Sequence, residues 1–232
     1  MPETIVSIHQ PQYLAWVPYF DKILRADRFV LLDNVPFQKN GLQNRNQIKT
    51  PHGISWLTVP VKQHLGQLIC ATEIADPMSL DKHLKTLEFA YKKSRFYDEI
   101  VILIDTVLQK HRSLLADLNH ALILNFLVYL GFTGELIKAS ELGVSGAGSD
   151  LILDICRKLG ATEYLSGPGG RNYMKLEDFK RAGIRVVFQE YKNVPYPQLF
   201  TEQGFVPNLS VIDLLFNLGK DSRPIIEKGR LH

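Results

Sequence analysis

The sequence has few of the residues that mark disulfide-rich or metal-binding proteins. It contains two cysteines among 232 residues, Cys70 and Cys156, and neither lies in a Cys-x-x-Cys or histidine-rich setting. This number excludes a disulfide scaffold, and no spacing in the chain predicts a zinc site or another metal site. We expect both thiols to be free in a reducing compartment.

Long apolar runs are also missing. The longest, residues 121–130, is interrupted by Asn125 and falls well short of the ~20 residues that cross a bilayer. Residues 1–10 lack the basic and apolar regions of a signal peptide. We therefore expect a cytoplasmic protein that does not act at a membrane.

A strong excess of one charge is absent as well. The chain has 27 Lys and Arg against 24 Asp and Glu, a formal net charge of +3. Its basic groups are short and interrupted, as at Lys92-Lys93 and Lys180-Arg181, whereas nucleic-acid binders usually carry a basic run or stripe. Solvated helix faces explain these groups better, so we expect no nucleic-acid partner.

What is present is typical of one folded domain over residues 1–232, with 45% hydrophobic and 22% charged residues. Strand patterns at 4–8 and 28–32 flank a helix that begins at Pro18, and strands at 134–139, 163–165 and 184–188 alternate with helices. Alternation of this kind predicts an α/β fold with a Rossmann-like, mostly parallel sheet.

The middle of the chain breaks the alternation. Residues 35–50 are polar and predict a loop, residues 55–61 predict a strand, and helical periodicity covers 80–93 and a long stretch over 97–130. We expect an inserted helical lobe at about 80–130. A last helix is predicted at 210–218, where Ser210 and Asp213 fit a capping arrangement.

Ligands of parallel α/β sheets bind beyond the carboxyl ends of the strands. Four loops follow predicted strands there, at 9–13, 33–46, 166–173 and 189–198, and all are rich in polar and aromatic residues. We therefore expect a site at this edge. Side chains of these loops that suit substrate binding include Gln10, Gln12, Tyr13, Tyr173 and Gln189.

His9 and Asp33 are the candidates for catalysis, because both follow buried strands directly. Imidazole titrates near neutrality, so His9 suits acid/base work or contact with a phosphate. Asp33 is suited to orienting His9, holding a metal or accepting from a substrate amine or hydroxyl. The alternatives are a histidine that satisfies local backbone groups and an aspartate that forms an Asx turn at a strand end.

Two segments predict an anion site. Asn44-Arg45-Asn46 offers a guanidinium flanked by two amides, with Lys39 as a further cation. Ser166, Gly167, Gly170 and Arg171 belong to a glycine-rich turn whose backbone N–H groups can approach a ligand. We expect Lys39, Arg45 and Arg171 to cluster at one sheet edge. The alternatives are a solvated loop and an ordinary glycine-rich turn.

Tyr191, Tyr196 and Gln198 lie around prolines after the last predicted strand. Stacking and hydrogen bonding suit them to form the wall of a pocket. The alternative is a proline-stiffened loop that packs on the sheet.

Several strings in the sequence together resemble the WbqC-like family of bacterial proteins, over about residues 5–219. The strings lie at 9–14 (HQPQYL), 19–22 (YFDK), 44–46 (NRN), 56–61 (WLTVPV), 165–167 (LSG), 188–189 (FQ) and 209–219. One departure is Asn193, where the family tends to carry histidine before Tyr-x-Gln. Asn193 cannot replace a base, so only Tyr191, Tyr196 and Gln198 are carried over in this loop.

The resemblance implies a role in surface-polysaccharide or O-antigen pathways, with modification of an amino sugar by acyl or aminoacyl transfer. The expected function is a transferase that forms an amide on a nucleotide-linked amino sugar, with His9 as general base. The donor is left open between an acyl carrier protein, an aminoacyl donor and ATP, and no other cofactor is implied. A homodimer is an open alternative for the assembly.

Two other functions stay open. The order of strand, histidine loop, helix and second strand is similar to the opening of the HUP-type nucleotidyl-transfer folds, which implies ATP-dependent adenylation. Only His9 has a counterpart there, because the second histidine and the glycine of His-x-Gly-His are missing. The other alternative is a protein that binds a sugar nucleotide without catalysis.

Overall fold

The fold is described from a computed structural model, which covers residues 3–231. Its seven strands are β1 Ile5–His9, β2 Arg28–Leu31, β3 Arg45–Thr50, β4 Gly53–Thr58, β5 Glu135–Lys138, β6 Glu163–Ser166 and β7 Arg185–Phe188. Five of them form a sheet in the order β5-β2-β1-β6-β7, and every pair in it is parallel. The predicted Rossmann-like parallel sheet is confirmed.

Helices cover both faces of this sheet. They are α1 Val17–Leu24, α2 Met78–Tyr91, α3 Tyr97–Lys110, α4 Leu115–Tyr129, α5 Gly148–Lys158, α6 Leu176–Arg181, α7 Val211–Leu218 and α8 Ser222–Lys228. Side chains of α1 to α4, α7 and α8 form the larger core with Phe29 and Leu31 of β2, and α5 and α6 form the smaller one with Val30. The alternation along β2 follows from the two-residue period of a strand.

The polar segment before Pro51 differs from its prediction as a loop. Its last six residues are β3, which pairs with β4 in an antiparallel hairpin. Ile48 is fully buried, and Asn46 and Lys49 are buried although they are polar. Their side chains find hydrogen-bond partners inside the protein, which offsets the cost of removing them from water.

The long helix predicted over 97–130 is two helices, α3 and α4. The break between them lies where Ser113 accepts from the N–H of Ile74 and Leu115 donates to Thr72. These bonds to a distant segment replace helical ones, so the chain turns despite its periodicity. Helix α8 was not predicted.

Other features of residues 3–231 bear on the expected class of protein. None of the helices described there is long and apolar enough to cross a membrane. Both cysteines are free.

Candidate active site

The carboxyl edge of the sheet brings together the strand ends that the sequence singles out. His9 lies beside Leu31 in the register of β1 and β2, and Ser166 lies beside Phe188 in that of β6 and β7. Because all five strands are parallel, the loops that follow them leave from the same edge.

His9 is held as a neutral imidazole at this edge. Its Nδ1 lies 3.1 Å from the carbonyl oxygen of Gln10, which also accepts from the Tyr19 hydroxyl at 3.2 Å. A carbonyl can only accept, so Nδ1 carries the proton and Nε2 is left as an acceptor. Burial, with the charge of Lys22, lowers the pKa of His9 to about 3. The side chain therefore stays uncharged at neutral pH.

Lys22 of α1 lies beside His9 and is a functional candidate that the sequence reading did not single out. It is 2% exposed, and its ammonium donates to the carbonyl of Ile8 at 2.9 Å. Within residues 3–231, no carboxylate lies within 4.0 Å of this nitrogen. Burial lowers the pKa of Lys22 to about 7, so the amine changes charge near neutral pH.

Three glutamines, Gln10, Gln12 and Gln43, lie in the loops next to His9. Gln43 donates from Nε2 to Oε1 of Gln10 at 2.8 Å and accepts from the N–H of Gln38 at 2.8 Å. Gln12 is buried, and its Oε1 has no hydrogen-bond partner in the described part of the chain. The predicted role of Gln10 and Gln12 in ligand contact stays a prediction.

Tyr13 lies in the core rather than in the edge site. Its hydroxyl is 2.8 Å from Nδ1 of His83, whose Nε2 lies 3.1 Å from the carbonyl of Thr58. The Thr58 carbonyl requires a proton on Nε2, so Nδ1 accepts from Tyr13. This chain of bonds ties the first loop to α2 and the hairpin.

Asp33 binds Ser140 instead of His9. Its two carboxylate oxygens accept from the N–H and the hydroxyl of Ser140, at 2.8 and 2.7 Å. These bonds fix the chain just after β5. The expectation that Asp33 orients His9 therefore needs correction, because the hydrogen bond of the His9 ring goes to Gln10.

The Asn44-Arg45-Asn46 triplet is largely used within the protein. Asn44 donates to the Val59 carbonyl at 2.8 Å, and Asn46 donates to the Leu14 carbonyl at 3.0 Å. Leu14 has a φ of 43°, a strained value for leucine, so Asn46 helps to hold the turn after β1. Their amides position the hairpin, and their predicted part in ligand binding stays a prediction.

The three predicted cations of the anion site have separate surroundings. Arg45 donates to the Asn40 carbonyl at 2.6 Å and lies over the ring of Trp56 at 4.5 Å. Arg171 lies 3.2 Å from a carboxylate oxygen of Glu190 and over the ring of Phe188. Lys39 is exposed. No contact found among the described residues joins the three side chains, so their clustering stays a prediction.

Two of the three glycines in the turn after β6, Gly167 and Gly170, have different surroundings. A Cβ on Gly170 would lie 2.2 Å from Oγ of Ser166, so packing excludes a side chain there. Gly167 has an ordinary φ of −70°, and a Cβ on it would meet only Nζ of Lys22, at 3.9 Å. The side chain of Tyr173, at the end of the turn, is about half exposed, at 53%.

The loop after β7 leads away from this edge. Gln189 donates to the Pro18 carbonyl and to Asp21 of α1, both at 2.8 Å. Tyr191 forms a bridge with Arg230 near the end of the chain. These contacts fasten the loop to α1 and to the segment after α8, so they favour the packing alternative over a pocket wall at this point.

Tyr196 and Gln198 belong to a second buried polar group, which we call the Asp213 cluster: Lys49, Tyr91, Tyr196, Gln198 and Asp213. Asp213 accepts from all three neutral members, at 2.8 to 2.9 Å, and Lys49 donates to Gln198 at 3.4 Å. Asp213 thus points into the interior, and the capping bond of α7 comes from Ser210 alone.

Comparison with known proteins gives the family. The chain matches the sequence profile of the WbqC-like protein family over residues 10–225. The chain belongs to the WbqC-like family. It is similar to "Uncharacterized protein Rv1507c" of Mycobacterium tuberculosis (strain ATCC 25618 / H37Rv), with 34% identity over 221 residues, 94% of this chain and 95% of that protein. No solved structure is significantly similar to the chain described here.

One of the strings that resemble the WbqC-like family, at 19–22, contains Lys22, which the sequence did not single out as a functional candidate. The string at 19–22 of this WbqC-like protein includes Tyr19, whose ring packs edge-on against that of His9. It also includes Asp21, which accepts a hydrogen bond from Gln189, and Lys22 itself. Helix α1 is short, and nearly all of it is buried. Its two charged side chains therefore had to lie inside the protein.

A large cavity of this WbqC-like protein lies elsewhere. It has a volume of about 730 Å³ and is lined by the end of α2, Pro51 and residues 199–202. None of the edge residues described above lines it. The chemistry of the edge therefore does not depend on this cavity.

Proposed function

We propose that this WbqC-like protein is a transferase that forms an amide on a nucleotide-linked amino sugar, as part of the synthesis of a bacterial surface polysaccharide. The supporting observation is the neutral His9 at the sheet edge, with Nδ1 fixed by the Gln10 carbonyl and Nε2 left as an acceptor. Amine attack on an acyl group requires such an acceptor, because only the deprotonated amine is a nucleophile.

The bonds and protons of this reaction balance around His9. The sugar amine attacks the carbonyl carbon of an acyl or aminoacyl thioester or ester, and a C–N bond forms. His9 accepts the proton of the amine at Nε2 and returns it to the leaving thiol or alcohol as the bond to the carbonyl carbon breaks. The carrier of the acyl group, an acyl carrier protein or an aminoacyl donor, is part of the proposal.

The pKa of His9 is about 3 in the protein without substrate. The causes of this low pKa are burial, first, and then the charge of Lys22. A negative group of the substrate beside Lys22 offsets that charge and stabilises the imidazolium. Base strength then rises in the complex, where the proton is transferred.

The test is a reaction screen followed by mass spectrometry. Nucleotide-linked amino sugars are mixed with acyl or aminoacyl donors, and the product is a sugar nucleotide heavier by the acyl group. His9→Asn keeps a donor toward Gln10 and removes the Nε2 acceptor, so we expect kcat to fall about 10²- to 10⁴-fold. His64→Asn, at an exposed position, is the matched control and should leave the rate unchanged.

Two results would contradict the proposal. Full turnover by His9→Asn would remove the base from the mechanism. Binding of sugar nucleotides without conversion by any donor would favour a binding protein instead of an enzyme.

A further inference from the structure

Lys22 is a buried cation whose hydrogen-bonding capacity is largely unused. An ammonium has three N–H donors. Among residues 3–231, Lys22 donates one hydrogen bond, to the carbonyl of Ile8, and the centre of the Phe29 ring lies 5.9 Å from Nζ. A buried charge without a partner is costly. Lys49, the other fully buried lysine, has two oxygen partners, so burial alone does not force this arrangement.

Gly167 leaves the approach to Lys22 open. Its φ of −70° suits any residue, and a Cβ there would contact nothing within 4 Å except Nζ of Lys22. Neither backbone conformation nor packing therefore requires glycine at this position. What a side chain would do is cover the ammonium, from a position that is itself partly exposed.

The charged groups around Lys22 leave its charge unmatched. His9 of β1 is neutral at physiological pH and carries no negative charge. Asp21, next to it in α1, is held by Gln189 and by Arg230, 2.6 Å away. Arg28 and Glu163 begin β2 and β6, so they lie at the opposite edge of the sheet.

We propose that Lys22 is the counter-ion for an anionic oxygen of a ligand, from a phosphate or a carboxylate group, which reaches Nζ over Gly167. The amine takes up a proton from solvent as this oxygen binds, and the N–H groups of the resulting ammonium donate to it. The inference rests on the proposed function only for the kind of substrate, because a nucleotide-linked sugar carries phosphates. The anion site itself can be tested without any reaction.

The experiment is an NMR titration of lysine side chains labelled with ¹³C at Cε. Lys22 should titrate near pH 7, well below ordinary lysines, and Lys22→Met assigns its signal by removing it. The titration is repeated at constant ionic strength with sodium chloride, sodium sulfate or sodium acetate. Sulfate stands for a phosphate group and acetate for a carboxylate, and neither changes its own protonation between pH 6 and pH 9.

We expect one of the two anions to raise the pKa of Lys22 by at least about one unit, which corresponds to tenfold tighter binding to the charged form. A rise with sulfate identifies a phosphate-like ligand, and a rise with acetate identifies a carboxylate. Gly167→Ala should cut this rise to less than half, and it should leave the pKa of Lys22 unchanged when neither sulfate nor acetate is present. Gly169→Ala is the matched control, because a Cβ there meets nothing within 4 Å.

Two outcomes would overturn the inference. One is a Lys22 titration that neither sulfate nor acetate moves. The other is an equal rise in Gly167→Ala and in the original protein, since the anion would then not approach over Gly167. If Lys22→Met does not fold, the comparison of Gly167→Ala with Gly169→Ala still decides, because both keep the lysine. Loss of acyl transfer in the screen leaves this titration unchanged, so the two proposals fail separately.

Discussion

Lys49 and Lys22 are both buried, but they differ in the hydrogen-bond partners of their ammonium groups. Lys49 donates to the carbonyl of Gly204 at 2.7 Å and to Gln198 within the Asp213 cluster. Lys22 donates to the carbonyl of Ile8 and has no carboxylate within ion-pair distance among residues 3–231. The first lysine belongs to a network whose charges and donors are matched, and the second does not.

The difference separates structural polar groups from functional ones. A buried network with matched partners holds elements in place and loses stability when one member is removed. A buried amine with unused donors gains further partners only from a ligand or solvent, which makes it a candidate for ligand binding. On this basis the Asp213 cluster joins the hairpin, α2 and α7, whereas Lys22 and His9 are the residues for which we propose ligand binding and catalysis.

The largest expected effect comes from removal of Asp213. Asp213→Ala leaves the hydroxyls of Tyr91 and Tyr196 and the amide of Gln198 without their acceptor, in the interior. We expect a loss of about 3 to 5 kcal/mol in the free energy of unfolding, as for other broken buried networks. Urea unfolding at pH 7 measures it.

Asp98→Asn is the control for this loss, because Asp98 is exposed and exposed substitutions usually change stability by about 0.5 kcal/mol or less. A loss below about 1 kcal/mol for Asp213→Ala would show that the cluster does not stabilise the fold.

The next effect compares the two lysines directly. Lys49→Met removes the donor to Gly204 and Gln198 and the positive charge near Asp213. We expect it to lower the free energy of unfolding by about 2 to 4 kcal/mol. Lys22→Met removes one bond to a carbonyl and an unmatched charge. It should leave the stability at pH 7 unchanged or raise it. Equal losses of unfolding free energy in Lys49→Met and Lys22→Met would contradict the distinction between the two lysines.

The fold was predictable where local pattern and tertiary structure agree. Short apolar strands alternate with helices from both ends of the chain, and this pattern gave the parallel sheet correctly. Strand β3 was missed because its Asn46 and Lys49 are polar, and a sequence reading places such residues in solvent. Their burial depends on partners at Leu14 and Gly204, far away in the chain.

The site was predictable only in part, for the same reason. The position of His9 at the carboxyl edge was predictable because it ends a buried strand, and ligands of parallel sheets bind beyond such ends. Lys22 was missed because a lysine in a short helix usually lies in solvent, and its burial depends on how α1 packs against β1. Asp33 was singled out because it follows a strand, but its partner Ser140 lies beyond three helices in sequence.

The smallest effect is a dependence of stability on pH that belongs to Lys22 alone. The pKa of Lys22 is about 7 in the folded protein and about 10.4 in an unfolded chain. Between these values the unfolded chain binds more protons, so the stability due to this group rises with pH. From pH 7 to pH 9 the rise should be about 2 kcal/mol.

The measurement is the difference in unfolding free energy between the original protein and Lys22→Met at pH 7, 8 and 9. The difference cancels the contributions of groups that both proteins share, such as the buried Cys156, whose pKa is raised to about 12. Any advantage of Lys22→Met should therefore shrink steadily as pH rises. A constant difference would mean that Lys22 stays charged in the folded protein, and the contrast with Lys49 would then rest on hydrogen bonds alone.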